Sequence, residues 1–257
     1  MSKSSAAYDT YDYPSYWKSR NYEHESEVFA LKSLLSSIGE LGELADVGAG
    51  FGRLLPYYKK RSKRIVLADP STTLLTLAKD KYKKARNKLT FVHSTVEDLT
   101  NRVTSESLDT VVFIRVMHHL DNPQKAIKSI SKILKNNGFV VLEFANKIHV
   151  KASLKRICQG DIWFRDDKTP TDRRCAKNQN LETICFYNYH PDTIFRALSK
   201  NHFKVREVRS VSNIRSELLK KILPLKLLIA AEKLLQRPLS RVYFGPSIFI
   251  LAQKQSP

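Results

Sequence analysis

A regular alternation of short apolar segments and amphipathic segments spans residues 41–146, and it constrains the fold more than any other feature of this sequence. The apolar segments are Leu44–Val47, Arg64–Ala68, Leu89–His93, Leu108–Ile114 and Phe139–Phe144. Strands with so few polar residues are buried on both faces, as in a parallel sheet that helices cover. Because crossover connections are right-handed, we expect an α/β fold with a doubly wound, mostly parallel sheet.

Helices are predicted between these strands and in the C-terminal third of the chain. The apolar spacing predicts them over 24–38, 51–60, 71–86, 123–134, 191–200 and 213–237, with Gly39 ending the first and Pro224 interrupting the last. Two more strands are expected near 203–211 and 247–252, whereas 147–190 shows no periodicity. No linker or internal repeat is visible, so 1–257 is predicted to be a single domain with segments 1–40, 41–146 and 147–257.

The charge is strongly basic and is weighted towards the C-terminal part. The chain has 44 Lys and Arg against 25 Asp and Glu, a net charge of +19, and residues 151–257 carry +12 of it. Such an excess attracts nucleic acid, an anionic membrane surface or an acidic substrate. The basic residues are dispersed rather than clustered in one run, however, which favours an interpretation as solvated helix faces.

Compartment and metal content can also be predicted from the sequence. No run of about 18 apolar residues and no apolar leader segment is present, which predicts a cytoplasmic protein without a membrane span. The sequence has three cysteines, Cys158, Cys175 and Cys185. A small and odd number of cysteines argues against a disulfide framework. They form no C-x2–4-C pair, so we expect no metal site.

A glycine-rich loop, Asp46-Val47-Gly48-Ala49-Gly50-Phe51-Gly52, follows the first predicted strand. Glycines at this place allow a sharp turn and a close approach of a ligand to the backbone. The spacing GxGxG differs from the dinucleotide fingerprint GxGxxG, and no Gly-Lys-Ser/Thr follows, so neither an NAD site nor a P-loop is indicated.

Asp69 ends the second predicted strand, 23 residues after Asp46. A carboxylate at this position accepts hydrogen bonds from a ribose diol. The loop and this acid together predict an adenosine-bearing ligand that needs no phosphate. Asp69 could also cap the helix that begins at Ser71.

These segments resemble, in order, the motifs of the class I S-adenosylmethionine-dependent methyltransferases, in particular the small-molecule branch (methyltransferase type 11) typified by the ubiquinone and menaquinone biosynthesis enzymes. The matching stretches are LADVGAGFGR, ADPS, FVHSTVEDL, SLDTVVFIRVMHHLDNP and LKNNGFVVLEF. The resemblance runs from about residue 41 to 144. It implies a Rossmann-like methyltransferase fold with a seven-stranded sheet, an antiparallel strand among the last two, a cap inserted after strand five, and S-adenosylmethionine as the cofactor.

The resemblance also implies a set of cofactor-binding residues within the segment 41–146. Asp46 is expected near the methionine amino group with Gly48, Ala49, Gly50 and Gly52 beside it, and Asp69 and Pro70 at the ribose. Thr95 and Val96 stand where the family has Asp and Ala beside the adenine, so a charge-assisted contact is lost there. Arg115 has two readings: it binds the cofactor carboxylate or an anionic acceptor, or it pairs structurally with Asp121.

The segment after the fourth strand bears on the substrate. It lacks the Asp/Asn-Pro-Pro-aromatic tetrapeptide of enzymes that methylate exocyclic base amines, and no cysteine lies nearby, which points towards a small molecule or lipid. His118 and His119 are candidate bases because histidine titrates near neutral pH. The alternative is that one of them packs against the cofactor region and the other lies on the surface.

Candidate acceptor-binding residues come from three other segments. Tyr13, Trp17 and Tyr22, together with Tyr16, form an aromatic N-terminal segment that could contact a methylsulfonium or simply strap the sheet. Asn146 and His149 follow the fifth strand and could touch substrate or cap the next helix. Tyr187 could line the acceptor pocket or belong to an ordinary loop.

The leucine-dense basic stretch 216–235 is predicted either to pack on the sheet with its lysines in water, or to form a lid or a peripheral membrane contact. The function predicted from the whole sequence is methyl transfer to a small-molecule or lipid-like acceptor. The alternatives are an RNA methyltransferase, supported by charge, and a non-catalytic cofactor-binding or membrane-docking module. The oligomeric state is not predicted.

Overall fold

The computed structural model describes residues 13–174 and 185–256, so Cys175 lies outside the described residues. The strands are β1 Gly42–Val47, β2 Ser62–Asp69, β3 Leu89–His93, β4 Leu108–Phe113, β5 Leu134–Ala145, β6 Thr171–Asp172, β7 Tyr187–Asn188, β8 Phe203–Val211 and β9 Ser247–Lys254. The helices are α1 Tyr13–Lys18, α2 Asn21–Ser36, α3 Thr72–Lys81, α4 Pro123–Ile133, α5 Val150–Cys158, α6 Pro191–Lys200, α7 Glu217–Ile222 and α8 Leu225–Ser240.

Seven of the strands form one sheet in the order β3-β2-β1-β4-β5-β9-β8. Strands β1 to β5 pair in parallel, and β9 runs antiparallel to both of its neighbours. The strand order reverses direction between β1 and β4, and the carboxyl ends of β1, β2, β4 and β5 meet at one edge of the sheet. The predicted doubly wound, mostly parallel seven-stranded sheet is therefore confirmed.

Apolar side chains cover both faces of this sheet. On one face, α4 and α6 contribute Ile127, Ile130, Ile194 and Leu198 to a buried cluster. On the other face, α2 contributes Leu31, Leu34 and Leu35. The strands present apolar residues to both layers, which is why their sequences contain so few polar positions.

Three local predictions from the sequence were wrong at their boundaries. The helix expected over 51–60 is reduced to a 3-10 turn at Leu55–Tyr57, because Gly52 has a φ of +71° and Pro56 has no backbone N–H to donate. Helix α2 ends at Ser36, before Gly39. Strand β5 begins at Leu134, before the turn residues, since Leu134 pairs with Leu108.

Between β5 and α6 the chain forms α5, a 3-10 turn at Ile162–Arg165 and the short ribbon β6–β7. These elements lie next to the end of β5, where Lys147 N–H donates to the Tyr189 carbonyl and Tyr189 N–H donates to the Ala145 carbonyl. The irregular segment therefore returns the chain to the carboxyl edge of the sheet.

Helix α8 packs against α2 and β8 through a stripe that is mostly polar. Its buried residues are Leu228, Glu232, Gln236 and Ser240, which recur every four positions on one face. Leu227 and Leu234, by contrast, are 54% and 78% exposed. Of the alternatives for 216–235, packing on the sheet with the lysines in water is found in part: Lys221, Lys226 and Lys233 are exposed, but the buried face of α8 is polar rather than rich in leucine. No helix in the described part of the chain is long and apolar enough to cross a membrane.

The carboxylate of Glu232 explains why a polar stripe can be buried here. It accepts hydrogen bonds from the Tyr22 hydroxyl at 2.6 Å and from the backbone N–H groups of Ser212 at 2.8 Å and Asn213 at 3.0 Å. Burial and this carboxylate raise the pKa of Tyr22, so its hydroxyl stays a donor. A buried side chain thus links the start of α2 to the end of β8.

We expect Glu232→Ala to lower the free energy of unfolding by about 3 kcal/mol or more, because it leaves several buried donors without an acceptor. Urea unfolding followed by circular dichroism measures the loss. Glu217→Ala removes an exposed carboxylate and should change the stability by about 0.5 kcal/mol or less. Equal losses in the two variants would contradict the importance of the buried network.

Candidate active site

The glycine loop after β1 leaves an open space at its centre. Gly48, Gly50 and Gly52 have φ values of +78°, +53° and +71°. A Cβ atom would lie 2.0 Å from Val116 at Gly48 and 2.7 Å from Tyr82 at Gly52, so close packing also excludes a side chain at these two positions. At Gly50 the nearest atom is 3.7 Å away. Gly50 is therefore the least crowded of the three glycines, in ordinary contact with Leu74, and its backbone lines the cavity described below.

Asp69 holds this loop in place from the end of β2. One carboxylate oxygen accepts the Gly50 N–H at 2.7 Å, and the other accepts the Ser71 N–H at 2.8 Å. The N-cap of α3 is Ser71, whose hydroxyl accepts the Leu74 N–H. Asp69 thus joins the glycine loop to the start of α3 through both of its carboxylate oxygens.

Asp46 lies buried beside the loop, where it accepts a hydrogen bond from the Tyr58 hydroxyl. Burial raises the pKa of Asp46 to about 7, with the nearby Asp69 adding to the effect and Tyr58 opposing it. A positive charge placed next to Asp46 would favour its ionised form and lower this pKa.

A cavity over the loop is lined by most of the residues that were predicted to bind the cofactor. Those that line it are Asp46, Gly48, Ala49, Gly50, Asp69, Pro70 and Arg115, with Tyr13 covering them from α1. Gly52, Thr95 and Val96 are not part of this lining. We call this space the loop cavity.

The two residues predicted beside an adenine have local roles in the structure. The Thr95 hydroxyl accepts the Asp98 N–H at 3.2 Å and donates to the Asp98 carboxylate at 3.0 Å, at the start of the 3-10 turn Asp98–Asn101. Val96 is buried in the apolar cluster beneath the sheet. The structure thus gives these two residues hydrogen-bonding and packing roles within the chain, and their contact with an adenine stays a prediction.

Arg115 follows β4 with a left-handed backbone, φ +66°, which costs a non-glycine residue about 1–2 kcal/mol. Its N–H donates to the Glu143 carboxylate at 3.0 Å, and its guanidinium lies 3.7 Å from Glu27 and 3.2 Å from the Tyr16 hydroxyl. The expected pairing with Asp121 is wrong, because Glu27 from α2 takes that place. These contacts stabilise the strained tip of β4.

The aromatic N-terminal segment already has cationic partners within the protein. The Arg53 guanidinium lies 3.6 Å from the centre of the Trp17 ring, and that of Arg115 lies 5.4 Å from it. Tyr13 reaches the loop cavity and contacts Phe51 edge to face. Tyr22 points elsewhere, to Glu232. Of the predicted aromatic residues, Tyr13 is the one that lines the loop cavity.

A second space, which we call the central cleft, opens on the other side of Arg115. It has a volume of about 370 Å³ and is lined by Arg115, His118, Glu143, His149, Arg173 and Arg215, among others. Glu143 was not among the site residues predicted from the sequence. Its position as a carboxylate inside the apolar strand FVVLEF is a signal by which it could have been found. Glu27, with apolar neighbours on the buried face of α2, was missed for the same reason.

The two adjacent histidines differ in their surroundings. His118 is buried and lines the central cleft, whereas the Nδ1 atom of His119 donates to the Cys185 carbonyl at 2.9 Å. Burial, with the His119 and Arg115 charges second, holds the pKa of His118 well below its usual 6.5. Burial also lowers the pKa of His119 to about 4. Both rings are therefore neutral at pH 7.

The remaining predicted acceptor residues fall into two groups. His149 lines the central cleft, while its Nδ1 accepts the Ala152 N–H, which leaves the proton on Nε2. The Asn146 amide donates to the carbonyls of Tyr243 and Gly245 and accepts the Ile148 N–H, so it is used structurally. Tyr187 packs against the apolar core beside the cleft and is not in its lining.

Comparison with known proteins gives the family of the central segment. Residues 45–142 match a protein family described as a methyltransferase domain. The ubiquinone biosynthesis O-methyltransferase of Dictyostelium discoideum is 29% identical over 111 residues, which cover 40% of this chain and 35% of that protein. This central segment is therefore similar to the class I S-adenosylmethionine-dependent methyltransferases. The chain spans 34% to 44% of the length of the curated relatives that it matches.

Solved structures share the fold of the methyltransferase domain over most of the chain. The N-methyltransferase NodS from Bradyrhizobium japonicum, solved with S-adenosylhomocysteine, has a TM-score of 0.60 and 14% identity over 96% of this chain and 95% of its own. The [4+2]-cyclase SpnF has a TM-score of 0.58 and 14% identity over 90% of this chain and 82% of its own. The fold thus occurs in proteins with different reactions.

We expect the imidazoles of His119 and His149 to titrate near pH 4, and that of His118 below its usual 6.5, because burial and nearby cations disfavour the charged form. Nitrogen-15 spectra of the ring nitrogens, recorded from pH 7 downwards and assigned with His→Asn variants, measure the midpoints. Since the unfolded chain binds these protons near pH 6.5, the three groups stabilise the fold above that pH, and this contribution is lost as the pH falls towards 4. A midpoint near 6.5 for any of them would contradict the burial described here.

Proposed function

We propose that this chain transfers a methyl group from S-adenosylmethionine to a small-molecule acceptor. The observation that carries the proposal is the bridge that Asp69 forms to Gly50 and Ser71 beside open backbone. It lies at the carboxyl edge of the sheet, where the strand order reverses between β1 and β4. Ligands of doubly wound sheets bind at this reversal.

The residues around the loop cavity fit the cofactor in their chemistry. The carboxylate of Asp69 suits a ribose diol, the open backbone at Gly50 allows a close approach, and Asp46 offers a buried carboxylate to an amino group. The enclosed part of the cavity is about 80 Å³, whereas ligand clefts usually exceed about 300 Å³. We therefore expect Tyr13 and α1 to move outwards when the cofactor binds.

The bound sulfonium supplies an electrophilic methyl group, and the protein aligns the acceptor with it and excludes water. In the transfer the sulfur–methyl bond breaks and a bond between the methyl group and the acceptor forms. An acceptor that arrives protonated must lose its proton. His118 is the proposed acceptor of that proton, since it lines the central cleft and its ring is neutral at pH 7. Its low pKa also makes it a weak base, which suits an acceptor that is itself readily deprotonated.

A small-molecule acceptor is supported by the size of the central cleft and by the names of the relatives. The volume of about 370 Å³ lies in the range of small-ligand sites. Several curated relatives are ubiquinone biosynthesis O-methyltransferases, which act on small molecules. The net charge of +19 keeps RNA as the alternative acceptor.

Peripheral membrane contact through 216–235 remains part of this proposal, as does a cytoplasmic location. Leu218, Ile222, Leu227 and Leu234 are each more than half exposed on α7 and α8. Lys221 and Lys226 lie in the same stretch and suit an anionic membrane surface.

We expect Asp69→Ala to weaken the binding of S-adenosylmethionine by about 10- to 100-fold, because hydrogen bonds to a charged acceptor are lost. Isothermal titration calorimetry with S-adenosylmethionine and S-adenosylhomocysteine measures the loss, and NAD serves as the negative control. Asp80→Ala removes an exposed carboxylate from α3 and should leave the affinity within about twofold. Failure of the unmodified protein to bind either sulfur cofactor would refute the proposed function.

Transfer of a labelled methyl group decides between the two acceptor classes. The protein is incubated with methyl-labelled S-adenosylmethionine and with separated RNA, protein and small-molecule fractions of a cell extract. We expect the label in the small-molecule fraction, where it should resist nuclease. Label that is released by nuclease would favour RNA, and no transfer to any fraction from a protein that binds the cofactor would favour a non-catalytic module.

A further inference from the structure

A third space, the outer cleft, continues from the central cleft away from Arg115. Its volume is about 480 Å³, and it shares His149, Lys151, Arg173, Asn188 and Arg215 with the central cleft. It adds Lys155 and Arg156 from α5. The central cleft and the outer cleft are therefore contiguous, and Arg115 lies between the central cleft and the loop cavity.

The cations of the outer cleft are not matched by carboxylates. Two of them are paired, Lys147 with Asp167 and Arg156 with Asp161. Within residues 13–174 and 185–256, no ion pair holds the others, which are Lys151, Lys155, Arg173 and Arg215. Glu23 and Glu217 lie at the edge of the central cleft, but both contact Lys220. Within the described residues, four cations thus converge on a space whose nearest carboxylates, Asp167, Glu23 and Glu217, are already paired with other lysines.

This convergence has an energetic cost that packing does not explain. Like charges that face each other repel, and partial burial strengthens the repulsion. The effect is visible in two neighbours. Burial and the facing Arg173 lower the pKa of Arg215. Burial, followed by Arg215, Arg173 and Lys151, lowers the pKa of His149 to about 4. An anion in the cleft would relieve this repulsion.

The donors in the cleft suit an oxyanion in geometry as well as in charge. Guanidinium groups bind carboxylates and phosphates through two parallel hydrogen bonds. His149 adds a neutral donor, since its Nδ1 is taken by the Ala152 N–H and the ring proton is on Nε2. Lys151, in the first turn of α5 next to His149, lines both clefts.

We propose that the acceptor carries an oxyanion, a phosphate or carboxylate group, which Lys151, Arg173, Arg215 and His149 bind in the outer cleft while its methylated end reaches the central cleft at Arg115 and His118. This assignment rests on the proposed function, because it takes the central cleft to be the place of methyl transfer. The assignment defines the substrate class as an anionic small molecule. The net charge of the chain alone does not distinguish this class from RNA or an anionic membrane.

Calorimetric titration with pyrophosphate and with citrate tests the assignment on the full chain, at about 0.1 M salt. We expect saturable binding of at least one of them, and a loss of about tenfold or more in Arg173→Gln/Arg215→Gln. Lys88→Gln/Lys204→Gln is the matched control, since both lysines are exposed at the opposite edge of the sheet and the charge change is the same. Its affinity should stay within about twofold of the unmodified protein.

A second double variant and two further binding measurements complete the test. Lys151→Gln/Lys155→Gln should show the same loss, which covers the case in which the arginine variant does not fold. The absence of saturable anion binding, or an equal loss in the control, would overturn the proposal. Binding to vesicles with anionic lipid or to an RNA oligonucleotide, without binding of either soluble anion, would also overturn it and assign the charge to a macromolecular surface.

Titration of S-adenosylmethionine into the same variants separates this proposal from the proposed function. None of the substituted residues lines the loop cavity, so cofactor affinity should be unchanged in all of them. Loss of cofactor binding in the unmodified protein would refute methyl transfer, whereas the anion titrations would still report whether the outer cleft is an oxyanion site.

Discussion

The carboxyl edge of the sheet depends on the partly buried guanidinium of Arg115. Arg115 stands at the tip of β4 with a left-handed backbone, and the carboxylates of Glu143 and Glu27 hold its main chain and its side chain. The same Glu27 binds Arg53 of the glycine-loop segment at 2.5 Å. Removal of one partner from such a buried set leaves an uncompensated charge, which costs several kcal/mol. Helix α2, strand β5 and the glycine loop are therefore positioned through the same cluster, and this cluster separates the loop cavity from the central cleft.

Much of the sheet could be predicted from the sequence, because the burial of both faces leaves a strong apolar signal in each strand. The glycine loop and Asp69 could be found because backbone geometry and a strand-end carboxylate leave local signatures. The partners of Arg115 could not be predicted from the sequence. Glu27 and Glu143 lie 88 and 28 residues away along the chain, and their pairing with Arg115 depends on the tertiary fold. Asp121, the partner in one of the two readings of Arg115, is near in sequence, but Arg115 pairs with Glu27 instead.

The failure at α8 has a related cause. A leucine-rich stretch with regularly placed lysines predicts that the leucines are buried, but the structure buries Glu232 and Gln236 and exposes Leu227 and Leu234. The backbone donors of Ser212 and Asn213, together with the Tyr22 hydroxyl, require an acceptor at this place, and Glu232 supplies it. The cost of unsatisfied buried donors then exceeds the gain from burying two leucines. Hydropathy along one helix cannot reveal a requirement that arises from the ends of two other elements.

The carboxylates are concentrated in the loop cavity and the central cleft. Asp46 and Asp69 line the loop cavity beside Arg53 and Arg115, and Glu27 and Glu143 line the central cleft. At the far end the charges are the cations of the outer cleft. A cationic cofactor is favoured at the acidic end, and an anionic group is favoured at the basic end. Under the proposal above, an acceptor with an oxyanion at one end would be oriented before it reacts, with its uncharged end towards Arg115 and the loop cavity. Orientation of this kind is the main contribution that a protein can make to a displacement whose electrophile the cofactor already supplies.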